Sequence, residues 1–316
     1  MPHRIIFDTD PGIDDAMALL FAHRSPDIEL LGITTTFGNA SVVQTTRNAL
    51  LLADAFGIDC PVHMGAAVPL AVAELAPPDF VHGTDGLGDA GLVMPHAPGD
   101  ATAVAFIIDT VRAHPGEVTL VAVGRMTNLA LVAEQAPDVV GLVKQVVIMG
   151  GVIGRHGIAG NVTPCAEANI FGDPHAADIV MQAGWPLTMV GLDVTMRTRM
   201  EPAMLATLVA DGGADGALIG RIVRHYQAFY ARTTGNEAFP VHDSSALACL
   251  VAPQLYELEA GGLRVVTEGI AVGQTLFSPA GRTWPYADWA TRDDCRVCTN
   301  VDGAAVLDHY LATLLR

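Results

Sequence analysis

Strand-like and helix-like patterns alternate along the first two thirds of the chain. Short runs of β-branched and other apolar residues lie at positions 5–7, 28–36, 62–64, 119–123, 145–149 and 187–190. Helical patterns occur at 16–22, at 42–56, from about 128 and after 174. Repeated strand–helix units build parallel sheets, and such sheets carry helices on both faces. The sequence therefore predicts an α/β fold with a mostly parallel central sheet, helices on both faces and a Rossmann-like core.

The chain of 316 residues is long enough for one large domain or two smaller ones. Neither a low-complexity linker nor an internal repeat divides it, so a single domain over residues 1–316 is predicted. Residues 66–100 are rich in Ala, Pro and Gly, and a loop is expected around His82. Residues 197–240 look helical and then irregular, and are expected to cap one edge of the sheet.

Polar residues follow each predicted strand, and the first of these clusters is the most acidic. Asp8, Asp10, Asp14 and Asp15 fall within eight residues, between an apolar strand and a helix. One interpretation is that Asp14 and Asp15 favour a helix N-terminus and that Asp10 favours a turn. However, four like charges this close resist joint ionisation unless a cation lies among them. Ligands of parallel sheets bind at the carboxyl ends of strands, so a site for a hard divalent ion or a substrate is predicted here.

Two further segments carry candidate functional groups. Residues 160–169 bring together Asn161, Glu167 and Asn169, which suit the vicinal hydroxyls of a sugar or simply form a polar surface loop. His242 and Asp243 precede an apolar stretch and are expected at a helix start. Asp243 could be an N-cap there, and one side chain can both cap a helix and bind a metal.

The charge balance excludes some classes of partner. Lys and Arg number 17 against 34 Asp and Glu, which gives a net charge of -17. Such a chain is a poor binder of nucleic acid or of anionic membranes, whereas a small neutral substrate and a metal cation fit it. The longest apolar runs are too short to span a membrane, and no signal peptide is expected. Five scattered cysteines suggest reduced thiols and a cytoplasmic protein.

These motifs resemble those of the nucleoside hydrolases, in the branch that prefers inosine and uridine or pyrimidine nucleosides. The segment from Asp8 to Ala16 is similar to that family's N-terminal signature nearly letter for letter. The resemblance spans about residues 4–310. Its other matching segments, in order, are 35–39, 82–83, 126–128, 149–151, 161–169 and 241–243.

The resemblance implies a nucleoside hydrolase-like fold and Ca²⁺-dependent cleavage of ribonucleosides to ribose and free base. Asp10, Asp15, Asp243 and the main-chain carbonyl of Thr127 would hold the Ca²⁺. Asp10 would also be the general base, and His242 would protonate the leaving base with His82 close by on a mobile loop. The ribose ligands implied are Asp14, Asn39, Met149, Asn161, Glu167 and Asn169. Asp8 would brace the loop, and a homodimer or homotetramer is expected by analogy.

Some positions depart from the family pattern or are ambiguous. Arg125 stands where many relatives carry a small residue, and Ala168 occupies a position that is often aromatic. Arg155 and His156 could lie near the pocket, although a solvated loop is favoured. Tyr226 and Tyr230, four residues apart on a predicted helix, could line the base site or simply pack together. The preference for purine or pyrimidine nucleosides stays open.

Two other functions remain in competition. A phosphatase of the haloacid dehalogenase type also begins with a strand that ends in Asp-x-Asp, as in Asp8 and Asp10. Such an enzyme needs a lysine to hold the phosphoryl group, and this chain has only Lys144, just before a predicted buried strand. The second alternative is an inactive relative that binds nucleosides without cleaving them. Every expected catalytic position is filled, which favours an active enzyme.

Overall fold

A computed structural model describes residues 1–92, 101–286, 289, 292 and 294–316. Within these residues one sheet of nine strands forms the centre of the molecule, in the order β10-β9-β11-β6-β5-β4-β1-β2-β3. Two short strands, β7 and β8, pair separately. The strands are β1 (His3–Thr9), β2 (Ile28–Thr35), β3 (Val62–Met64), β4 (Val118–Ala122), β5 (Gln145–Met149), β6 (Leu187–Val190), β7 (Arg199–Met200), β8 (Phe239–Pro240), β9 (Tyr256–Val265), β10 (Thr275–Pro279) and β11 (Cys295–Val301).

Helices cover both faces of the sheet. They are α1 (Ile13–Arg24), α2 (Val42–Phe56), α3 (Asp79–His82), α4 (Ala103–Ala113), α5 (Thr127–Gln135), α6 (Pro137–Val140), α7 (Ala168–Gly172), α8 (Pro174–Gln182), α9 (Leu192–Thr195), α10 (Pro202–Asp211), α11 (Gly213–Thr234), α12 (His242–Val251) and α13 (Gly303–Leu314). Single 3₁₀ turns lie at Arg155–Gly157 and Pro253–Leu255. In the described part of the chain, no helix combines the length and the apolar character that a bilayer crossing requires.

The alternation of side chains along β1 separates two apolar cores. Ile5 and Phe7 point into the core shared with α1, α2, α11, α12 and α13. Ile6 points to the other face, where α4, α5 and α8 pack. Successive residues of a strand face opposite sides of its sheet, so a strand buried on both faces must be apolar throughout. This explains why the apolar runs of β1, β4 and β5 are continuous rather than alternating.

The parallel register brings the carboxyl ends of the central strands together. Asp8 on β1 lies beside Thr34 on β2 and Ala122 on β4. The loops that leave β1, β2, β4 and β5 therefore emerge side by side at one edge of the sheet, as predicted from the sequence. These loops carry Asp10, Asn39, Arg125 and Gly150, and the site described below is built on them.

The predicted α/β class with a mostly parallel sheet is confirmed, and several elements match their predicted bounds. The helix over 42–56 and the strands at 145–149 and 187–190 coincide with α2, β5 and β6. Two features were not anticipated. The strands β9 and β10 run antiparallel at one edge of the sheet. His82, expected in a loop, ends the one-turn helix α3; residues 93–100 of the same predicted loop lie outside the described residues.

Candidate active site

Three buried carboxylates from two distant segments meet at the carboxyl edge of the sheet. Asp14 and Asp15 begin α1, and Asp243 begins α12. Each offers an oxygen that lies within 4.8 Å of the other two. Burial, followed by the charge of Asp15, raises the pKa of Asp14 to about 8. Burial and the neighbouring carboxylates raise the pKa of Asp243 well above its usual range.

The chemistry of this trio fits a hard divalent cation. Asp14 Oδ1 is buried and has no hydrogen-bond partner among the described residues. A buried carboxylate oxygen without a donor is costly, and a cation bound by several oxygens removes that cost. Carboxylate oxygens are the ligands that Ca²⁺ prefers. The residues present therefore fit the metal that the sequence led us to expect.

Asp15 has a second function at the start of α1. Its Oδ2 accepts hydrogen bonds from the Gly12 amide at 2.8 Å and from Asn39 Nδ2 at 3.0 Å, and Thr9 Oγ1 donates to its Oδ1. The interpretation that this aspartate favours a helix N-terminus is thus also correct. Gly12 is required for this packing, because a Cβ there would lie 2.6 Å from His82 Nδ1 and 2.7 Å from Asn39 Nδ2.

Asp10 lies beside this trio and is paired with an arginine. Its Oδ2 accepts hydrogen bonds from the Asn39 amide at 2.8 Å and from Arg125 Nη1 at 2.9 Å. Asp10 is 1% exposed and Arg125 is 7% exposed, so this ion pair is buried. Burial raises the pKa of Asp10, and the Arg125 charge opposes that rise. Asp8 accepts from Thr34 and Asn128 and lies below the loop, as a bracing residue would.

The predicted division of Asp10, Asp14 and Thr127 between the metal and the ribose stays a prediction. Asp14, expected at the ribose, has a carboxylate oxygen within 4.8 Å of oxygens of Asp15 and Asp243. Asp10, expected in the metal set, is not in that group of three. Thr127 begins α5, and its hydroxyl donates to Asp173 at 2.8 Å. The predicted contribution of Thr127 is its carbonyl, which stays a prediction.

The predicted ribose ligands from residues 149–169 surround one pocket. Met149, Asn161, Glu167 and Asn169 all line it, together with Asp14 and Asn39. The Glu167 carboxylate accepts from the backbone amides of residues 151, 169 and 170, which fixes its position at the start of α7. Asn169 donates through Nδ2 to the Val123 carbonyl at 2.6 Å, so its orientation is fixed as well. Asn161 is exposed and accepts from the Ala168 amide.

His242 and two tyrosines form the opposite wall of the same pocket. His242 Nδ1 lies 2.8 Å from Thr195 Oγ1, and its Nε2 lies 3.4 Å from the Tyr230 hydroxyl. Burial and the charge of Arg199 lower the pKa of His242 to about 4, so the ring is neutral at neutral pH. Tyr226 donates to Asp14 Oδ2 at 3.5 Å. Both tyrosines therefore line the pocket and also pack together, with ring centroids 5.0 Å apart.

His82 is held between α1 and α11. Its Nδ1 accepts a hydrogen bond from the Ile13 amide at 3.2 Å, and its ring lies 5.8 Å from that of Tyr226. Burial lowers the pKa of His82 to about 3. Because Nδ1 accepts from a backbone N–H, the neutral ring must carry its proton on Nε2. His82 lines the pocket in this tautomer.

An aromatic rim at the mouth of the pocket was missed by sequence reasoning. Phe80 on α3 is 67% exposed, lines the pocket and lies 5.9 Å from the ring of Phe229 on α11. An aromatic residue two positions before His82 was the available signal, and it is weak without knowledge of the packing. Ala168 also lines the pocket. Arg155 and His156 contact Glu259 and the Thr299 carbonyl and are not among the lining residues.

Comparisons with known proteins show which family this chain is similar to. The family model described as "Inosine-uridine preferring nucleoside hydrolase" matches residues 5–308. The chain is 38% identical over 316 residues to Uridine nucleosidase 1 of Arabidopsis thaliana, covering 99% of this chain and 93% of that protein. It is 38% identical over 281 residues to the inosine-uridine preferring nucleoside hydrolase of Crithidia fasciculata, covering 87% and 88%.

Solved structures give the same result for the fold. A plant nucleoside hydrolase, the PpNRh1 enzyme, superposes with a TM-score of 0.95 at 35% identity, covering 100% of this chain and 99% of that one. A purine-preferring ribonucleoside hydrolase from Gardnerella vaginalis superposes with a TM-score of 0.91 at 31% identity, covering 99% and 98%. Of these two proteins, only the second is named for a base preference.

Proposed function

Because this chain belongs to the inosine-uridine preferring nucleoside hydrolase family and is thus a hydrolase of N-glycosyl bonds, we propose that it is a Ca²⁺-dependent ribonucleoside hydrolase. The products are ribose and the free base. The observation that carries the proposal is the group of buried carboxylates formed by Asp14, Asp15 and Asp243, with Asp10 beside it.

The acidic pocket suits the charge that develops during the reaction. Cleavage of a glycosidic bond passes through an oxocarbenium-like state, in which the sugar becomes positive. Fixed carboxylates stabilise that state more than they stabilise the neutral substrate, and only such a difference lowers the barrier. Glu167 is fixed by backbone amides and Asp10 by the Asn39 amide together with Arg125, so neither has to reorient as the charge develops.

The chain's own groups divide the remaining work. Asp10 takes the proton of the attacking water, through the oxygen that is not engaged by Arg125 and Asn39. When bound at the aspartate trio, Ca²⁺ would lower the pKa of that water and attract the ribose diol oxygens. Asn161, Glu167 and Asn169 bind ribose hydroxyls, and Met149 packs beside the sugar.

His242 and the aromatic rings that line the pocket receive the leaving base. His242 is neutral and retains one N–H, while the Thr195 and Tyr230 hydroxyls determine which nitrogen carries it. We assign His242 the hydrogen bond to the departing base, which is a poor leaving group without a proton. Phe80, Phe229 and Tyr226 supply ring surfaces for the base. Uridine and inosine are the first substrates to test, since similar proteins are named for them.

The phosphatase alternative has little support in the geometry. Lys144 immediately precedes β5, and therefore lies at the amino end of that strand. The carboxylates lie at the carboxyl end of the sheet, about 16 Å away for a strand of this length. A lysine in that position cannot hold a phosphoryl group next to Asp8 or Asp10.

The deciding experiment measures ribose and free base released from uridine, inosine, cytidine, adenosine and guanosine. Each substrate is assayed after EGTA treatment and again after Ca²⁺ is restored. We expect release that disappears with EGTA and returns with Ca²⁺. Ribose release that is unchanged by complete metal removal would refute the calcium role. Tight nucleoside binding with no release would identify an inactive relative, and phosphate release from sugar phosphates would identify a phosphatase.

A further inference from the structure

We propose that Arg125 is a positioning residue for the reaction, which fixes the general base Asp10 and the ribose ligand Asn169 with one guanidinium group. The inference rests on the proposed function of the same pocket. Arg125 Nη1 donates to Asp10 Oδ2 at 2.9 Å and lies 3.3 Å from Asn169 Oδ1. Among the described residues that line the pocket, it is the only arginine or lysine.

The contact with Asp10 determines which carboxylate oxygen is free to react. Arg125 and the Asn39 amide both donate to Oδ2. Two donors on one oxygen fix the plane of the carboxylate and leave Oδ1 as the oxygen for water. Without the guanidinium, the single Asn39 hydrogen bond would allow the carboxylate to rotate.

The contact with Asn169 adds a hydrogen bond to an amide that is already held on its nitrogen side. Nδ2 donates to the carbonyls of Val123 and Met149, at 2.6 and 3.2 Å. A guanidinium has only donors, so the Asn169 atom that faces Arg125 must be the amide oxygen. One guanidinium therefore contacts a group on the water side and a group on the sugar side.

The surrounding backbone is shaped to receive this side chain. A Cβ on Gly172 would lie 2.5 Å from Arg125 Nε, and a Cβ on Gly38 would lie 2.6 Å from Arg125 Nη1. The Gly172 backbone is not in the left-handed region, which would itself favour glycine. Its lack of a side chain therefore serves the close approach to Arg125. Two segments after different strands thus leave space for one buried cation.

The test compares wild type with Arg125→Ala and Gly172→Ala, in saturating Ca²⁺ with the best nucleoside substrate. Arg125→Ala should lower kcat about 100-fold, because Asp10 loses its fixed orientation. KM should rise up to about tenfold, because Asn169 loses one hydrogen-bond partner. Millimolar guanidinium should restore part of kcat in Arg125→Ala and leave the kcat of wild type unchanged. Gly172→Ala should lower kcat in the same direction, since its methyl group displaces the guanidinium.

Matched variants separate positioning from stability. Arg264→Met removes a partly buried ion pair with Asp178, remote from the pocket, and should lower the melting temperature while kcat stays as in wild type. Gly141→Ala adds a methyl group where the nearest atom is 4.0 Å away, and should change neither quantity. If Arg125→Ala does not fold, Gly172→Ala carries the test alone.

The proposal is overturned if both site variants keep kcat and KM within about threefold of wild type, a change below 1 kcal/mol. It is also overturned if kcat falls only in proportion to the folded fraction and guanidinium restores nothing. Wild type releasing no ribose in the same assay would refute the proposed function itself. Wild type releasing ribose while Arg125→Ala does so equally well would refute the role of Arg125 alone.

Discussion

Asp243→Asn should make the protein more stable without calcium and less stable with it. The oxygens of Asp243, Asp14 and Asp15 lie within 4.8 Å of one another. Two unit charges at that distance repel by about 3.5 kcal/mol at an effective dielectric constant of about 20. Without a cation the folded protein therefore keeps protons in this cluster. Keeping one carboxyl of ordinary pKa protonated at pH 7.5 costs up to about 5 kcal/mol.

The asparagine side chain of the variant carries no charge, so it removes the cost of keeping a carboxyl protonated. It is, however, still buried. We expect about half of the ceiling to be recovered, roughly 2 kcal/mol, because an asparagine also loses hydration in the site. For a chain of this size such a gain raises the melting temperature by about 3 °C. With free Ca²⁺ at about a thousand times its Kd, wild type gains about 4.1 kcal/mol. The variant, which lacks one ligand charge, should gain less than about 1 kcal/mol from Ca²⁺. Its total advantage of less than about 3 kcal/mol is then smaller than the wild-type gain, so the order of stability reverses.

The assay is thermal unfolding of both proteins in EGTA and in excess Ca²⁺, followed by circular dichroism. Asp193→Asn is the matched control, since Asp193 is buried, lies outside the trio and accepts hydrogen bonds from the amides of residues 153 and 155. It should be less stable than wild type in both buffers. If Asp243→Asn is less stable than wild type already in EGTA, the carboxylates do not repel one another as argued.

Three other predictions follow from the same site. In EGTA the free energy of unfolding should fall between about pH 4 and pH 8, by about 1.4 kcal/mol per pH unit for each carboxyl of raised pKa. The sign follows because folded Asp14, with a pKa of about 8, holds a proton that the unfolded chain releases near 3.8; urea melts that show rising stability would contradict it. Asp10→Ala should abolish turnover while circular dichroism shows an intact fold. A variant that keeps a tenth of wild-type kcat would remove Asp10 from the mechanism. His242→Ala should slow cleavage of natural nucleosides far more than that of a nitrophenyl riboside, and equal losses would count against its contact with the leaving base.

Much of the fold could be predicted because its signals are local. The helix α2 matches 42–56, since Ser41 accepts from the Gln44 amide at its start and Gly57 adopts a left-handed conformation at its end. The strands β5 and β6 are short apolar runs bounded by turns. The antiparallel pairing of β9 with β11 was not predictable, because strand direction depends on which distant segments meet at the edge of the sheet.

The candidate site shows the same division between local and distant information. Asp14 and Asp15 were identified as functional because they lie between a strand end and a helix start, whereas Asp243 was assigned through the family resemblance. The sequence could not tell whether the carboxylate of Asp10 or that of Asp14 lies closer to Asp243, since that depends on side-chain orientation within a tight turn. The partner of Arg125 was likewise hidden, because 115 residues separate it from Asp10.

The arrangement of donors explains how a fold can tolerate so many buried acids. Asp15 and Glu167 are held by backbone amides at helix starts, and Asp10 is held by one amide and one guanidinium. These donors belong to β1, α1, α7 and the loops between them, so they are in place before any ligand arrives. Asp14 and Asp243 have fewer donors. Within the described part of the chain, the Tyr226 hydroxyl is the only side chain that donates to either, and Asp14 Oδ1 has no hydrogen-bond partner. The buried negative charge that the protein does not compensate therefore lies on these two carboxylates. A divalent cation bound between them would stabilise the folded protein most.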